Sequence, residues 1–324
     1  MSTKRYKVTR EAALLPYLFE LLPEQSRTSV KQMLSKGQVV VNGERCTAFD
    51  RSLKAGDSIE LLSKGISIAR STRLDAREAV LRAGVQILYE DEHYLVVDKP
   101  SGMLTVSTAR GSAAKAGHRE QTLYALLNAY VKVNARMQRK EDLLEGRQPD
   151  RSTAKVWIVH RIDKGTSGVL VFAKDERAKD LLQSKWKELV AERRYVAWLE
   201  GTVEQDYGAW QSWLVENPKS LKMNSFQTEV KDGQLAITHY RVLSRSRHYS
   251  EVEFTLETGR KNQIRVHAAD MGHPVAGDEK YGAQTDPVHR LALHAATLVF
   301  RNPFTGKMIR CSSPLPESFE RFQR

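Results

Sequence analysis

Asp163 lies in the run His160-Arg161-Ile162-Asp163-Lys164-Gly165-Thr166-Ser167-Gly168, directly before the apolar stretch Val169-Leu170-Val171-Phe172. Taken locally, an aspartate followed closely by two glycines is first of all a turn residue. The sharper reading is a nucleophile, which must be ionised and poorly solvated. The apolar stretch has the pattern of a buried strand, so the carboxylate sits at a rigid edge. Arg161 and Asp163 share a face if the segment is extended, because residues i and i+2 of a strand point the same way. A guanidinium there would hold the carboxylate in its charged form.

The rest of the chain narrows the chemistry. Neither a phosphate-cradling glycine loop nor a dinucleotide fingerprint is present. No second carboxylate stands at a spacing that marks a glycosidase pair. Cys46 and Cys311 lie far apart and match no metal-ligand spacing. Any reaction at Asp163 is therefore expected to need neither metal nor cofactor. His160 and His267 are expected to be structural hydrogen-bonders, and Lys99-Pro100 an architectural turn.

The 324 residues carry a formal net charge of +12. An excess of that size favours a polyanionic partner, nucleic acid above all. Two unpaired cysteines suit a reducing compartment. No apolar run approaches the roughly 18 residues that span a bilayer, and no apolar segment follows the basic N-terminus. A cytoplasmic, monomeric protein with no membrane contact is the expectation.

Three segments follow from the pattern. Residues 1–62 form a small α/β module. Leu14, Leu15, Leu18, Leu21 and Leu22 recur at helical spacing, and a second helix is expected over 28–34, stopped by Gly37. Val39-Val40-Val41 is a strand turned by Asn42-Gly43. Residues 63–84 are polar and basic and read as a linker. Residues 85–324 form the larger domain. It opens with a hairpin through Ile87 and Tyr94-Leu95-Val96-Val97. Residues 107–118 read as a mobile loop and 132–155 as a charged, exposed insertion. Amphipathic helices are expected from Leu123 and over 176–192, the latter capped by Asp175. A strand follows from Tyr195 to Leu199.

Two resemblances add to this reading. Arg27-Thr28-Ser29, Lys31, Gly37-Gln38-Val39-Val40-Val41-Asn42-Gly43 and Gly56-Asp57 resemble the S4 RNA-binding domain. That likeness implies RNA phosphate contacts from Arg27, Lys31 and Lys36 on the polar helix face. His160-Arg161-Ile162-Asp163 with Thr166-Ser167-Gly168 resembles the signature of the pseudouridine synthases that modify ribosomal and transfer RNA, with Ile162 where the family usually has Leu. Lys99-Pro100 with Gly102, Arg194-Tyr195-Val196-Ala197, Thr258-Gly259-Arg260 with Gln263-Ile264-Arg265 and His267, Gly277-Asp278 with Tyr281-Gly282, and Leu293-His294-Ala295 follow in the family's order. Asn262 departs from the family's usual His.

The second resemblance implies an α+β fold with a mixed, mostly antiparallel sheet. It implies isomerisation of uridine to pseudouridine, in large-subunit ribosomal RNA or in transfer RNA, with the target base flipped out of its helix. Asp163 maps to the family nucleophile, whose point of attack (sugar or base) stays open. Tyr195 maps to the tyrosine that stacks on the uracil and takes part in removing its C5 proton. Arg265 maps to the basic partner of the aspartate. Arg161, Arg260, Gln263 and Ile264 map around the bound base. A non-catalytic RNA-binding factor on the same fold, and a carboxylate-dependent hydrolase with a second acid near Asp163, are the competing readings.

Overall fold

The computed structural model describes residues 4–62, 64–107, 121–150 and 154–323. The chain divides into two compact units, Met1–Ala79 with Ala129–Ala154, and Val80–Asn128 with Lys155–Arg324.

The smaller unit is built from β1 (Lys4–Lys7), β2 (Ala12–Ala13), α1 (Leu14–Leu21), α2 (Arg27–Ser35), β3 (Val39–Val41), β4 (Glu44–Cys46), β5 (Ser52–Leu53) and β6 (Ser58–Leu61), followed by α3 (Lys64–Arg82). Its sheet runs β1-β6-β3-β4, all antiparallel. Leu14 and Leu18 of α1 and Val30 and Leu34 of α2 bury against Val39, Val41 and Ile59, as their spacing requires. Ser26 caps α2 by accepting from the Ser29 amide. Asn42 and Gly43 both adopt positive φ between β3 and β4, the geometry of a tight hairpin. Arg27 and Lys31 are exposed on α2, and Lys36 is its C-cap.

The expected linker over 63–84 is corrected by α3, which occupies Lys64–Arg82. That stretch lacks a clear apolar stripe. Its Ala, Arg, Leu and Glu residues are nevertheless strong helix formers, and neither glycine nor proline interrupts 66–83. Gly84 ends the helix at φ +75°, with its amide on the Leu81 carbonyl and the Val85 amide on that of Val80. The charged insertion at 132–155 is corrected as well. It continues the helix α4 (Leu123–Leu144), and its described part from Ala129 groups with the smaller unit. Arg73 of α3 pairs with Glu141 of α4 at 3.0 Å, and Leu144 packs on Val40 and Leu62. Residues 108–118 of the expected mobile loop lie outside the described residues.

The larger unit carries β7 (Gln86–Glu90), β8 (Tyr94–Lys99), the start of α4, β9 (Trp157–Ile158), β10 (Ser167–Ala173), α5 (Glu176–Ser184), α6 (Trp186–Leu189), β11 (Val190–Glu200), β12 (Tyr207–Glu216), β13 (Met223–Phe226), β14 (Gln234–Arg245), β15 (Tyr249–Leu256), α7 (Gln263–Asp270), β16 (Leu293–Arg301) and β17 (Met308–Ser312). Its sheet has eleven strands in the order β13-β12-β14-β15-β11-β16-β10-β8-β7, with β17 on β16 and β9 on β10. Every pairing is antiparallel except β10 with β16. This is the mixed, mostly antiparallel sheet of the expected α+β class.

All seven residues of β10 are buried. Gly168, at φ +112°, lies against the Ala295 carbonyl so closely that a Cβ would collide with backbone. One boundary differs from expectation. The helix over 176–192 stops at Leu189, and Val190 already belongs to β11, which pairs with Phe300. Val190 is β-branched and carries the pairing potential of the strand that follows. Asp175 caps α5 through the Ala178 amide, as expected. Among the described residues, no helix is long and apolar enough to cross a membrane.

Candidate active site

Asp163 sits in the loop that feeds β10, and that loop is fastened along its backbone. Thr105 Oγ1 donates to the Ile162 carbonyl at 2.9 Å, and Ser101 Oγ to that of Gly165 at 2.6 Å. The Gly102 amide reaches the Lys164 carbonyl at 2.8 Å. Lys99 is fully buried beneath the turn. Its Nζ donates to the carbonyls of Pro100 (2.9 Å), Met103 (2.8 Å) and Lys164 (3.2 Å). Burial pushes the Lys99 pKa down to about 7, with Arg290 adding to the fall and Asp163 and Asp98 opposing it. The carboxylate is thus carried on a loop whose carbonyls are held from below.

Arg265 comes from the first turn of α7 and donates through Nη1 to Asp163 Oδ2 at 3.0 Å. The two residues are 102 positions apart in sequence. The rest of the guanidinium is taken by Asp278, whose oxygens accept from Nε at 2.6 Å and Nη2 at 2.7 Å. This is a planar, two-point pairing. The Tyr281 ring lies 5.0 Å from the guanidinium carbon. Burial alone would lower the Arg265 pKa, but the hydrogen bonds and charge of Asp278, together with Asp163, outweigh it and raise the pKa. Asn262, the departure from the family pattern, occupies the N-cap position of α7 at φ +55° without a side-chain cap bond. It accepts from Arg265 Nη1 at 3.2 Å and donates to the Tyr281 hydroxyl at 2.9 Å.

Tyr195 stands in β11, beside a bulge in the β11–β16 pairing that falls between Arg194 and Tyr195. A bulge at such a place re-aims a side chain. Tyr195 lines one pocket with Asp163, Arg265, Ile264, Leu293 and Arg260. Burial raises the Tyr195 pKa, with Arg193 opposing and Asp163 adding. The side chain is therefore a neutral phenol at pH 7.

The mapped residues divide into two groups. Asp163, Tyr195, Arg265, Ile264, Arg260 and Arg161 all line this pocket, with Arg161 and Arg260 exposed at its rim. Arg265, and not Arg161, holds the aspartate, because the residues before β10 are not in a strand and the i, i+2 argument lapses. Gln263 touches the pocket but is corrected as a base-binding residue. It is 3% exposed. Its Oε1 accepts from Thr258 Oγ1 (2.8 Å) and the Arg260 amide (2.9 Å), and its Nε2 donates to Ile237 O and Thr238 Oγ1, both at 2.9 Å. All its polar capacity is committed to shaping the Arg260 loop.

The RNA pseudouridylate synthase family model matches residues 93–270. An uncharacterised RNA pseudouridine synthase of Bacillus subtilis, YlyB, is 35% identical over 90% of this chain and 86% of that protein. Ribosomal large subunit pseudouridine synthase D of Xanthomonas campestris is 32% identical over 94% of this chain and 86% of that protein. The chain belongs to the RNA pseudouridylate synthase family. Among solved structures, human RNA Pseudouridylate Synthase Domain Containing 4 shares the fold. Its TM-score is 0.54 at 22% identity, over 78% of this chain and 97% of that one.

The synthase is an isomerase acting on RNA, and His160 and His267 both sit in internal hydrogen bonds. His160 accepts from the Val171 amide at 3.2 Å, and burial pushes its pKa down to about 3. His267 bridges Ser212 and Thr238 at 2.9 Å each, with its pKa pushed by burial to about 4. Sequence reasoning undervalued Asp278 and Tyr281. Both stood within a recognised run, but nothing local tied either to Arg265. The burial of Asp278 (2% exposed), which demands a cationic partner, appears only in the fold.

Proposed function

We propose that this synthase converts specific uridines of large-subunit ribosomal RNA to pseudouridine, with Asp163 as nucleophile. The C1′–N1 glycosidic bond breaks, the freed uracil rotates, and C1′ joins C5. The proton lost from C5 is balanced by one gained at N1. The observation that carries this reading is the Asp163–Arg265 ion pair (3.0 Å) in a pocket walled by Tyr195 and Ile264. Tyr195, a neutral phenol, serves as the stacking platform for the flipped base, a contact worth about 1–3 kcal/mol. Arg161 at the rim occupies the space the base vacates. The names of the relatives, synthase D of the ribosomal large subunit among them, support ribosomal RNA as the target.

The smaller unit acts as an S4-like RNA clamp through Arg27, Lys31 and Lys36. The arrangement of α1, α2 and the β3–β4 hairpin, and the net charge of +12, support this part of the reading. The enzyme works as a cytoplasmic monomer.

The test is to map pseudouridines in ribosomal and transfer RNA from cells with the wild-type gene, without it, and with Asp163→Asn. One or more ribosomal sites should vanish in both mutant strains, while the purified variant still folds and binds RNA. Retention of those sites in the Asp163→Asn strain would remove Asp163 from the chemistry. Loss of transfer RNA sites alone would reassign the substrate.

A further inference from the structure

A second cleft, of about 370 Å³, opens beside the Asp163 pocket and shares Arg161, Tyr195, Leu256 and Arg260 with it. Its far wall is Trp186 and Arg193, and Lys187 is exposed at its edge. Arg193 has no role in the chemistry described above, and its setting is unusual. Its Nη2 donates to the carbonyls of Leu256 (2.9 Å), Thr258 (3.4 Å) and Glu257 (3.5 Å), and its guanidinium carbon lies 5.6 Å from the Trp186 ring centre. Among the described residues, no carboxylate stands within ion-pair distance of it. Glu257, the acid that lines the cleft, faces His239 at 3.3 Å. Burial lowers the Arg193 pKa.

A largely buried cation with only carbonyl and aromatic neighbours is destabilised unless an anion completes its shell. Gly259 lies directly against this guanidinium. A Cβ at Gly259 would stand 2.8 Å from Arg193 Nη1, so a side chain there would have to displace the tip of the guanidinium. Exposed Arg161, Lys187 and Arg260 surround the opening, so the whole cleft favours negative charge.

We propose that this cleft binds the ribose-phosphate unit next to the target uridine, with its phosphodiester on Arg193 and its ribose against Trp186. The proposal rests on the reading of Asp163's pocket as the uridine site. The shared wall of Tyr195 and Arg161 then lies between the flipped base and its neighbour. The cleft fixes the register of the RNA strand, because a phosphate seated there permits one nucleotide to reach Asp163.

The probe is a fluorescein-labelled decauridylate, with binding followed by anisotropy across a salt series. Arg193→Met is expected to weaken binding about tenfold, the effect of losing a charged hydrogen bond. It should also lower the salt slope by about 0.7, the value for one phosphate on a single strand. Arg193→Lys should restore the slope. Gly259→Ala, which displaces the guanidinium tip and keeps the charge, should weaken binding in the same direction, and it stands in if Arg193→Met does not fold. On the ribosomal transcript found by mapping, Arg193→Met should raise KM with kcat within about twofold. Binding within twofold of wild type and an unchanged slope in both Arg193→Met and Gly259→Ala would overturn the proposal. Absence of pseudouridine formation by the wild-type enzyme would instead overturn the uridine-site reading, and the decauridylate result would still decide whether the cleft holds phosphate.

Discussion

Asp278→Asn tests whether Arg265 is a freely placed cation or one aimed by its surroundings. Asp278 is 1% exposed in its side chain, and Arg265 13%. The carboxylate fills both ends of the guanidinium fork, at 2.6 and 2.7 Å. An asparagine keeps one acceptor and turns the other into an amide donor facing an N–H, in a buried setting. Breaking a buried ion pair from one side costs about 3–5 kcal/mol. Asp163 still holds Nη1, so the lower end applies, about 3 kcal/mol. For a unit of this size that is roughly 6–12 °C in Tm.

The effect on chemistry should be larger than the effect on folding suggests. A shift of about 1 Å in a reacting group costs on the order of a hundredfold in rate, and Asp163, the proposed nucleophile, leans on the group that moves. Pseudouridine formation on a ribosomal transcript should fall about a hundredfold in kcat. RNA affinity should stay within a few-fold, because Asp278 is buried and cannot touch RNA. Arg265→Lys should not substitute for the native residue, since an ammonium cannot serve two carboxylates through a planar fork. Unchanged Tm together with kcat within threefold of wild type for Asp278→Asn would show that Arg265 takes its orientation from elsewhere.

Lys99→Met should lower stability by about 2 kcal/mol, the net of three carbonyls losing their donor and one buried charge removed. Amide hydrogen exchange of residues 162–165 should rise with it, and unchanged exchange there would show that Lys99 does not hold the loop. A second outcome concerns acid. The His267 pKa is pushed down to about 4 in the folded protein, against about 6.5 unfolded. Between these values the unfolded chain takes the proton and the folded one does not, so stability falls as pH drops from 6.5 towards 4. The loss is about 2 kcal/mol at pH 5, and His267→Gln should flatten that limb of the denaturation profile. An equally steep limb in the variant would place the acid sensitivity in other groups.

Local pattern carried the elements whose stabilisation is local. The leucines of α1, the Asn42-Gly43 turn and the Asp175 cap each state their structure within a few residues. α3 and the second half of α4 were misread because their stability is shared between distant segments. Arg73 and Glu141 each look like solvated charge until they face each other at 3.0 Å. Gln263 was misread for the reverse reason. Its place in a basic run suggests a ligand, whereas the fold turns it inward to four partners. The pairing of Asp163 with Arg265 has no periodic signature at all, and it was reachable only through resemblance.

The two carboxylates on Arg265 are not equivalent, and the difference bears on the proposed role of Asp163 as nucleophile. An arginine paired with Asp163 alone would place a full unit of positive charge on it and weaken it as a nucleophile. Here Asp278, fully buried, takes two of the guanidinium's hydrogen bonds, and Asp163, at 27% side-chain exposure, receives one. Most of the neutralisation is done by the acid that cannot reach the substrate. Asp163 is left oriented through a single contact to Oδ2, and Oδ1 takes no part in that pair. The same division explains why Arg265 can be buried without the RNA: its charge is already balanced. Arg193, on the other side of Tyr195, has no such acid among the described residues, and so the cleft it lines, rather than the Asp163–Arg265 pair, is the proposed place for the RNA's negative charge.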